Sequence, residues 1–301
     1  MLRGALHDRI RSAMFEPDAL DHRSAMATLL DVHALHLAPV TELHGAENWQ
    51  HDPRVSALKA KLEVRLRNRL DEPLNDVDDA ADAMRRLAHE EAVPAIYDWV
   101  AEEASVDELV EFVSFEGGPD ADFDDLVAVC QIGLTGLPKL TLGANYWDEM
   151  GGGRLDRVHT ELHRMMVEAL GVRSIPVEEL PVTALERKAL NGYLATNRAL
   201  QPELLGSLGL LECQAGPRCR RVVAAMQRLG VPTAALPFYE EHAIADPRHG
   251  KDWIENAVSP LAQRFPDWAP RMVTGARWRA TVNRRFFDAM ERHFGLVERA
   301  A

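Results

Sequence analysis

The sequence of 301 residues contains one compact pattern with clear chemical potential: His242, Asp246 and His249, two imidazoles and a carboxylate spaced by four and three residues. A helix turns by about 100° per residue, so the three side chains fall within a sector of roughly 60°. Imidazole nitrogen and carboxylate oxygen together suit iron, manganese or zinc. The spacing therefore predicts half of a metal site, which carboxylates and a further histidine from elsewhere must complete.

A second half-site is predicted between residues 145 and 159. Asp156 and His159 are one helical turn apart, and Glu149 precedes three consecutive glycines, Gly151 to Gly153. Glycine disfavours a continuous helix by about 1 kcal/mol relative to alanine, so we expect a backbone distortion that presents Glu149.

Glu212 follows a mostly apolar run from Leu204 to Leu211. A carboxylate on an apolar helix face costs free energy unless it is paired or bound to a metal. Two interpretations stay open at this point. Glu212 is either a metal ligand or the first residue of a polar turn around Gly216 and Pro217.

The elements that must position these residues are helical. Apolar residues recur at spacings of three and four along almost the whole chain, and two of these stripes end at Gly171 and Gly230, where we expect helix termini. Another stripe is predicted to end near Pro260. No sustained apolar alternation indicates strands, so the predicted fold class is all-α.

Two segments resist a helical interpretation. Residues 31 to 53 contain several histidines and prolines and are predicted to be irregular, and residues 116 to 124 contain a Gly-Gly-Pro turn. We therefore predict an N-terminal helical arm and irregular linker over residues 1–53, and one helical-bundle domain over residues 54–301.

Composition narrows the classes of partner and location. The net charge of −13 opposes polyphosphate backbones, so no nucleic-acid partner is expected. Three cysteines are too few for a disulfide framework, the N-terminus carries charges too early for a signal peptide, and no run of about 18 apolar residues indicates a membrane span. The sequence predicts a cytoplasmic protein with no membrane partner.

Together these motifs resemble a known family. The order Asp-Glu-x-Gly-x-Gly from Asp148, then His159, then Glu212, then Tyr-x-x-His-x-x-x-Asp-x-x-His from Tyr239 is similar to the haem-oxygenase-like diiron oxidases, also called iron-containing redox enzymes. The resemblance covers roughly residues 55 to 265. It implies a seven-helix bundle that holds two irons and activates dioxygen, the co-substrate.

The resemblance also implies a ligand set. That set is Glu149, His159, Glu212, His242, Asp246 and His249, with Asp156 or Glu116 as an additional carboxylate. Three histidines and three carboxylates are too oxygen-rich for structural zinc and too rich in histidine for magnesium or calcium, so iron or manganese fits best. Pro247, directly after Asp246, is expected to kink or locally unwind the helix.

Members of the family oxygenate nitrogen, desaturate aliphatic chains, close rings or cleave carbon–carbon bonds. The resemblance thus implies an oxygenase or desaturase of biosynthesis that acts on a small amino-acid-like substrate, needs an external electron donor and is compatible with a homodimer. Arg157, Tyr146 and Tyr239 flank the ligands and are predicted to contact the substrate. Two alternatives remain: a metal-free enzyme of the same fold (thiaminase-like or a cofactor-free oxidase), and a metal-binding protein without turnover.

Overall fold

The computed structural model describes residues 5–43, 45–90, 92–117 and 123–296, and these residues form helices and no strand. The predicted all-α class is therefore confirmed. In chain order the α-helices are α1 (Ala5–Phe15), α2 (His22–Leu37), α3 (Val40–Leu43), α4 (Pro53–Arg67), α5 (Ala80–Glu90), α6 (Ala95–Glu102), α7 (Val106–Glu116), α8 (Phe123–Cys130), α9 (Gly136–Glu149), α10 (His159–Leu170), α11 (Val182–Ala195), α12 (Gln201–Leu229), α13 (Pro237–Asp252), α14 (Ser259–Arg264) and α15 (Trp268–His293).

The helices belong to two compact units. The first unit comprises Met1–Asp71 and Pro176–Gln201, and the second comprises Glu72–Ile175 and Pro202–Ala301. Compact packing does not establish where an independently folding domain begins, so the domain boundary at residue 54 stays a prediction. Within the described part of the chain, no helix is long and apolar enough to cross a membrane.

The structure describes parts of both segments that are predicted to be irregular. Residues 31 to 53 are largely helical, which corrects the prediction: α2 continues to Leu37, α3 follows, and a 3₁₀ turn spans Ala46–His51. Asp21 caps the start of α2 by accepting a hydrogen bond from the backbone of Ser24. Of the predicted turn at 116–124, residues 118–122 lie outside the described residues.

The first unit buries a polar network around Glu63. The ring of His33 on α2 forms a 3.0 Å hydrogen bond with Glu63 on α4, and Glu63 also accepts one of 2.9 Å from Asn197. Lys59 lies 2.7 Å from the same carboxylate. Glu63 is thus compensated by a cation and two neutral partners, which is what a buried carboxylate requires.

In the second unit, α12 and α15 pack with their backbones in direct contact. A Cβ atom added to Gly206 on α12 would come within 1.7 Å of the carbonyl oxygen of Met272, and one added to Gly275 on α15 within 1.9 Å of that of Glu203. Arg271 also donates two hydrogen bonds of 2.7 Å to the Glu203 carboxylate. Only glycine fits at these two crossing points, because a Cβ atom would overlap the backbone of the facing helix.

The helix α13, the π-helix after it and α14 form one continuous helical run. After α13, the segment Trp253–Val258 is a π-helix, and α14 continues it to Arg264. The helix end predicted near Pro260 is therefore wrong, because Pro260 occupies the first turn of α14, where its missing N–H is tolerated. Helix ends at Gly171 and Gly230 are confirmed, with both glycines at positive φ.

The α12–α15 crossing generates a stability prediction. We expect Gly206→Ala to lower the free energy of unfolding by about 3 kcal/mol, because the new methyl group meets backbone that cannot rotate away. Gly143→Ala on α9 is the matched control, since its Cβ would meet only the end of the Gln131 side chain at 3.7 Å. Thermal and denaturant unfolding measure both variants; equal stability of the two would contradict the packing described here.

Candidate metal centre

Six of the residues predicted as ligands are buried in the second unit, and none is more than 7% exposed. They are Glu149, His159, Glu212, His242, Asp246 and His249. Five of them form two groups whose donor atoms all lie within 4.8 Å of one another. The first group is Glu149, His159 and His242, and the second is Glu149, Glu212 and His249. Glu149 is common to both groups.

A glycine loop brings Glu149 and His159 together. Glu149 is the last residue of α9, His159 is the first of α10, and the three glycines between them all have positive φ. A Cβ atom on Gly151 would come within 2.5 Å of the backbone carbon of Arg157. The chain therefore folds back on itself, and Glu149 Oε2 lies 2.7 Å from His159 Nδ1.

The close approach of α12 and α13 brings Glu212 to the C-terminal triplet. A Cβ atom on Gly216 would lie 2.8 Å from the Pro247 ring, and one on Gly250 would lie 2.8 Å from the Cα of Cys213. His249 Nδ1 is consequently 3.5 Å from Glu212 Oε2 and 3.7 Å from Asp246 Oδ1. The alternative that Glu212 begins a turn is excluded, since α12 continues to Leu229.

Pro247 lies inside a continuous α13, so of the two predicted effects the local unwinding is wrong, and the kink stays a prediction. Proline removes the hydrogen bond that the carbonyl of Ala243 would accept in a regular helix. Arg220 on α12 donates a 3.1 Å hydrogen bond to that carbonyl. The side chain of a neighbouring helix thereby satisfies the acceptor that Pro247 leaves open.

Hydrogen bonds orient three of the buried donors. His242 Nδ1 donates to the backbone oxygen of Phe238 at 2.7 Å, and a carbonyl can only accept, so the Nε2 lone pair is available for a metal. His249 Nε2 donates to Asp148 at 2.9 Å, which directs its Nδ1 inward. Asn145 donates to Glu212 Oε1 at 2.7 Å and leaves Oε2 facing His249. Such outer contacts fix ligand orientation.

Three of the donor atoms that face the interior of the centre are free to bind a cation. His159 Nδ1, Glu212 Oε2 and His249 Nδ1 are buried and have no hydrogen-bond partner among the described residues. The 2.7 Å separation between His159 and Glu149 lacks the alignment of a hydrogen bond. Each unsatisfied buried group costs about 1–3 kcal/mol, and a metal ion that accepts these lone pairs removes that cost. The donor set fits iron.

The close packing of buried carboxylates and histidines also shifts their pKa values. Burial raises the pKa of Asp246 to about 6, against the attraction of His242. Burial alone would lower the pKa of His249, but the nearby carboxylates of Asp246 and Glu212 outweigh it and raise the pKa to about 11. A metal ion at His249 Nδ1 would compete with a proton for that atom, so metal binding there is expected to weaken as the pH falls.

Among the described residues, the predicted additional carboxylates Asp156 and Glu116 belong to neither donor group. Asp156 is exposed and paired with Arg154 at 2.8 Å, because the glycine loop turns it outward. Glu116, at the end of α7, accepts hydrogen bonds from Tyr97 and Tyr239. Arg157 is paired with Glu241 at the surface.

Three neighbours of the donors were not predicted as site residues from the sequence: Asn145, Asp148 and Arg248. Asn145 and Asp148 are three residues apart on α9 and so share a face near Glu149, which is the signal that could have identified them. Arg248 forms an ion pair with Asp148. No signal in the sequence indicates that pairing, which joins residues one hundred positions apart.

These features describe an all-α protein with a buried carboxylate-and-histidine centre. A model of the iron-containing redox enzyme family matches residues 111–284, more than half of the chain, and the chain belongs to that family. Membership confirms the predicted haem-oxygenase-like bundle and supports an oxidoreductase that uses iron. No curated protein matches the sequence.

The glycine loop generates a prediction about the first donor group. Gly151 and Gly152 have φ of 62° and 61°, so alanine meets the same backbone penalty at both. Only Gly151→Ala adds a clash, since nothing lies within 4 Å of a Cβ on Gly152. We expect Gly151→Ala to weaken iron binding by about tenfold or more, as when outer support of a ligand is removed.

Iron titration followed by metal analysis measures this effect, with Gly152→Ala as the matched control. Equal iron affinity in the two variants would show that the fold-back of the loop does not position Glu149 against His159.

Proposed function

We propose that this protein is a dioxygen-activating non-haem diiron oxidase or oxygenase. The observation that supports the proposal most strongly is that two buried donor groups share Glu149. A single metal ion needs only one such group, whereas a carboxylate common to two groups can bridge two ions, as in the di-iron carboxylate proteins.

The assigned ligands divide between the two ions. His159 and His242 would hold one, Glu212 and His249 the other, Glu149 would bridge them, and Asp246 lies beside His249. Two ferrous ions at these donors would supply the electrons that reduce dioxygen. Three carboxylates against four positive charges leave a net charge of about +1. An external electron donor would return the centre to its ferrous state.

The chain itself orients these groups and excludes water from them. Phe238 packs its ring 4.7 Å from that of His242, and the ring of His159 lies 4.5 Å from that of His242. Low exposure of the donors strengthens their electrostatic interactions and protects reactive species from solvent.

A pocket of about 390 Å³ reaches the outer side of this centre and is our candidate substrate site. It is lined by residues of α9, α13 and the π-helix, among them Asn145, Asp148, Arg248, His249 and Asp252. Arg248 offers a guanidinium and Asp252 a carboxylate. A small zwitterion such as an amino acid carries the complementary pair of charges, so we propose an amino-acid-like substrate.

Sharing of Glu149 gives a specific expectation for iron content. We expect about two irons per chain. Because Glu149 belongs to both donor groups, Glu149→Gln should deplete both irons, whereas His159→Ala and His249→Ala should each deplete one. Metal analysis and Mössbauer spectroscopy after anaerobic loading with ferrous iron measure these contents.

His163→Ala is the matched control, since His163 also lies on α10 but belongs to neither donor group. Equal loss of iron in all three ligand variants would argue against two separate ions. Full retention in all three would reject the ligand set, and with it the diiron function.

Turnover distinguishes the enzyme from a metal-binding protein. Ferrous protein should react with dioxygen in stopped-flow absorption, and one member of a panel of amino acids and fatty acids should accelerate the reaction. Oxidation that no candidate accelerates would favour binding without turnover, and activity without iron would favour a metal-free enzyme.

Arg248 provides the substrate prediction. We expect Arg248→Gln to raise KM for an amino-acid-like substrate by about tenfold or more while kcat changes little, because a charged hydrogen bond to the substrate is lost. Arg221→Gln, which removes an exposed ion pair with Asp98, is the control. An unchanged KM in Arg248→Gln would exclude this pocket as the site that binds the substrate carboxylate.

A further inference from the structure

Two buried tyrosines share one buried carboxylate beside the candidate metal centre. Tyr97 on α6 donates a 2.8 Å hydrogen bond to Glu116 Oε1, and Tyr239 on α13 donates one of 3.3 Å to Glu116 Oε2. Both tyrosines are 1% exposed and Glu116 is 8% exposed. Each oxygen of Glu116 thus accepts the hydroxyl hydrogen of one tyrosine.

Continuous ring contacts connect this group to the candidate metal centre. The ring of Phe238 lies 5.3 Å from that of Tyr239 and 4.7 Å from that of His242. Tyr239 also precedes His242 by three residues on α13, which places the two side chains on neighbouring positions of the same helix. Tyr239 is therefore separated from an assigned ligand by one aromatic side chain.

Two aromatic rings and one guanidinium surround the ring of the second tyrosine, Tyr97. Tyr97 meets Phe112 and Phe287 edge to face at ring distances of 5.4 and 5.3 Å, and the guanidinium of Arg218 lies 5.9 Å from its ring. Tyr97 thus holds Glu116 in position, while Tyr239 lies on the side of the candidate metal centre.

The phenol of Tyr239 cannot lose its proton to solvent. Burial, together with the negative charge of Glu116, raises the pKa of Tyr239 well above its usual value. Removal of an electron from a phenol makes it strongly acidic, so oxidation of a buried tyrosine requires a base within hydrogen-bond reach. Glu116 Oε2 is such a base.

We propose that Tyr239 is a redox-active residue that gives one electron to the oxidised iron centre while its phenolic proton moves to Glu116. The O–H bond of Tyr239 breaks and an O–H bond forms on Glu116. Tyr239 becomes a neutral phenoxyl radical, Glu116 becomes neutral, and the centre is reduced by one electron. The inference rests on the proposed function, which supplies the oxidised iron centre as the oxidant. Electron transfer from Tyr239 would reduce that centre by one electron when no substrate is bound.

Photo-oxidation of the iron-free full-length chain tests Tyr239 independently of iron. A photogenerated ruthenium(III) polypyridyl complex serves as the one-electron oxidant, and freeze-quench electron paramagnetic resonance with ring-deuterated tyrosine identifies the radical. We expect a deuterium-sensitive radical in the wild type that Tyr239→Phe abolishes. Glu116→Gln should slow radical formation by about a hundredfold or more, because the amide accepts a hydrogen bond but cannot accept the proton.

Two further variants make the assignment specific. Tyr193→Phe on α11 is the matched control and should leave the radical unchanged. Tyr97→Phe should also retain it, since Tyr97 positions Glu116 and is not the electron donor. Thermal unfolding of each variant verifies that the fold is kept. A radical that survives Tyr239→Phe, a radical lost in Tyr97→Phe, or equal rates in Glu116→Gln and wild type would overturn the inference.

The iron-loaded chain exposed to dioxygen without substrate tests the electron acceptor. The same radical should form there, with the same dependence on Tyr239 and Glu116. Dioxygen consumption without a radical would overturn the electron-transfer step. Absence of dioxygen consumption would instead reject the proposed function, and photo-oxidation alone would then decide whether Tyr239 and Glu116 form a redox pair.

Discussion

Three carboxylates and three histidines are buried together in the interior of a helical unit, and the free-energy cost of this burial constrains the residues around them. Glu149, Glu212 and Asp246 would repel one another if histidines and hydrogen-bond donors did not surround them. Asn145 supplies part of the compensation by donating a hydrogen bond to Glu212, while Asp148 accepts one from His249 and so orients that ring. The remainder is left as inward-facing atoms without hydrogen-bond partners, an arrangement that a doubly charged cation stabilises and that would otherwise be costly.

This cluster requires backbones that approach more closely than side chains usually allow. Gly216 and Gly250 let α12 and α13 approach closely, so the ring of His249 lies between Glu212 and Asp246, 3.5 Å and 3.7 Å from their carboxylates. Gly151 lets the chain fold back from α9 to α10, so Glu149 meets His159. The same close contact places Arg220 against the carbonyl that Pro247 leaves open. Small residues and local compensation thus allow a polar centre inside a helical core.

Parts of the site were predictable because their signals are local. His242, Asp246 and His249 lie on one helix, and their common face follows from helical geometry alone. For Glu212 the apolar run before it left two interpretations open, a metal ligand or a polar turn, and only the continuous, buried α12 decides against the turn. The unwinding predicted at Pro247 is wrong: α13 continues there, and Arg220 of another helix donates to the carbonyl that the proline leaves open. Asp156 matched the helical spacing before His159, but the glycine loop turns it to the surface.

The sequence by itself determined the all-α class, the helix that presents the C-terminal triplet, and the donor types that favour iron, because helical periodicity and ligand chemistry are properties of short segments. Only the tertiary structure decided that Glu149 belongs to both donor groups and that Glu116 is held by two tyrosines. Those relations join side chains on different helices, and their distances depend on how closely the backbones pack. Packing distances of this kind arise from contacts between residues far apart in the chain, which no local pattern records.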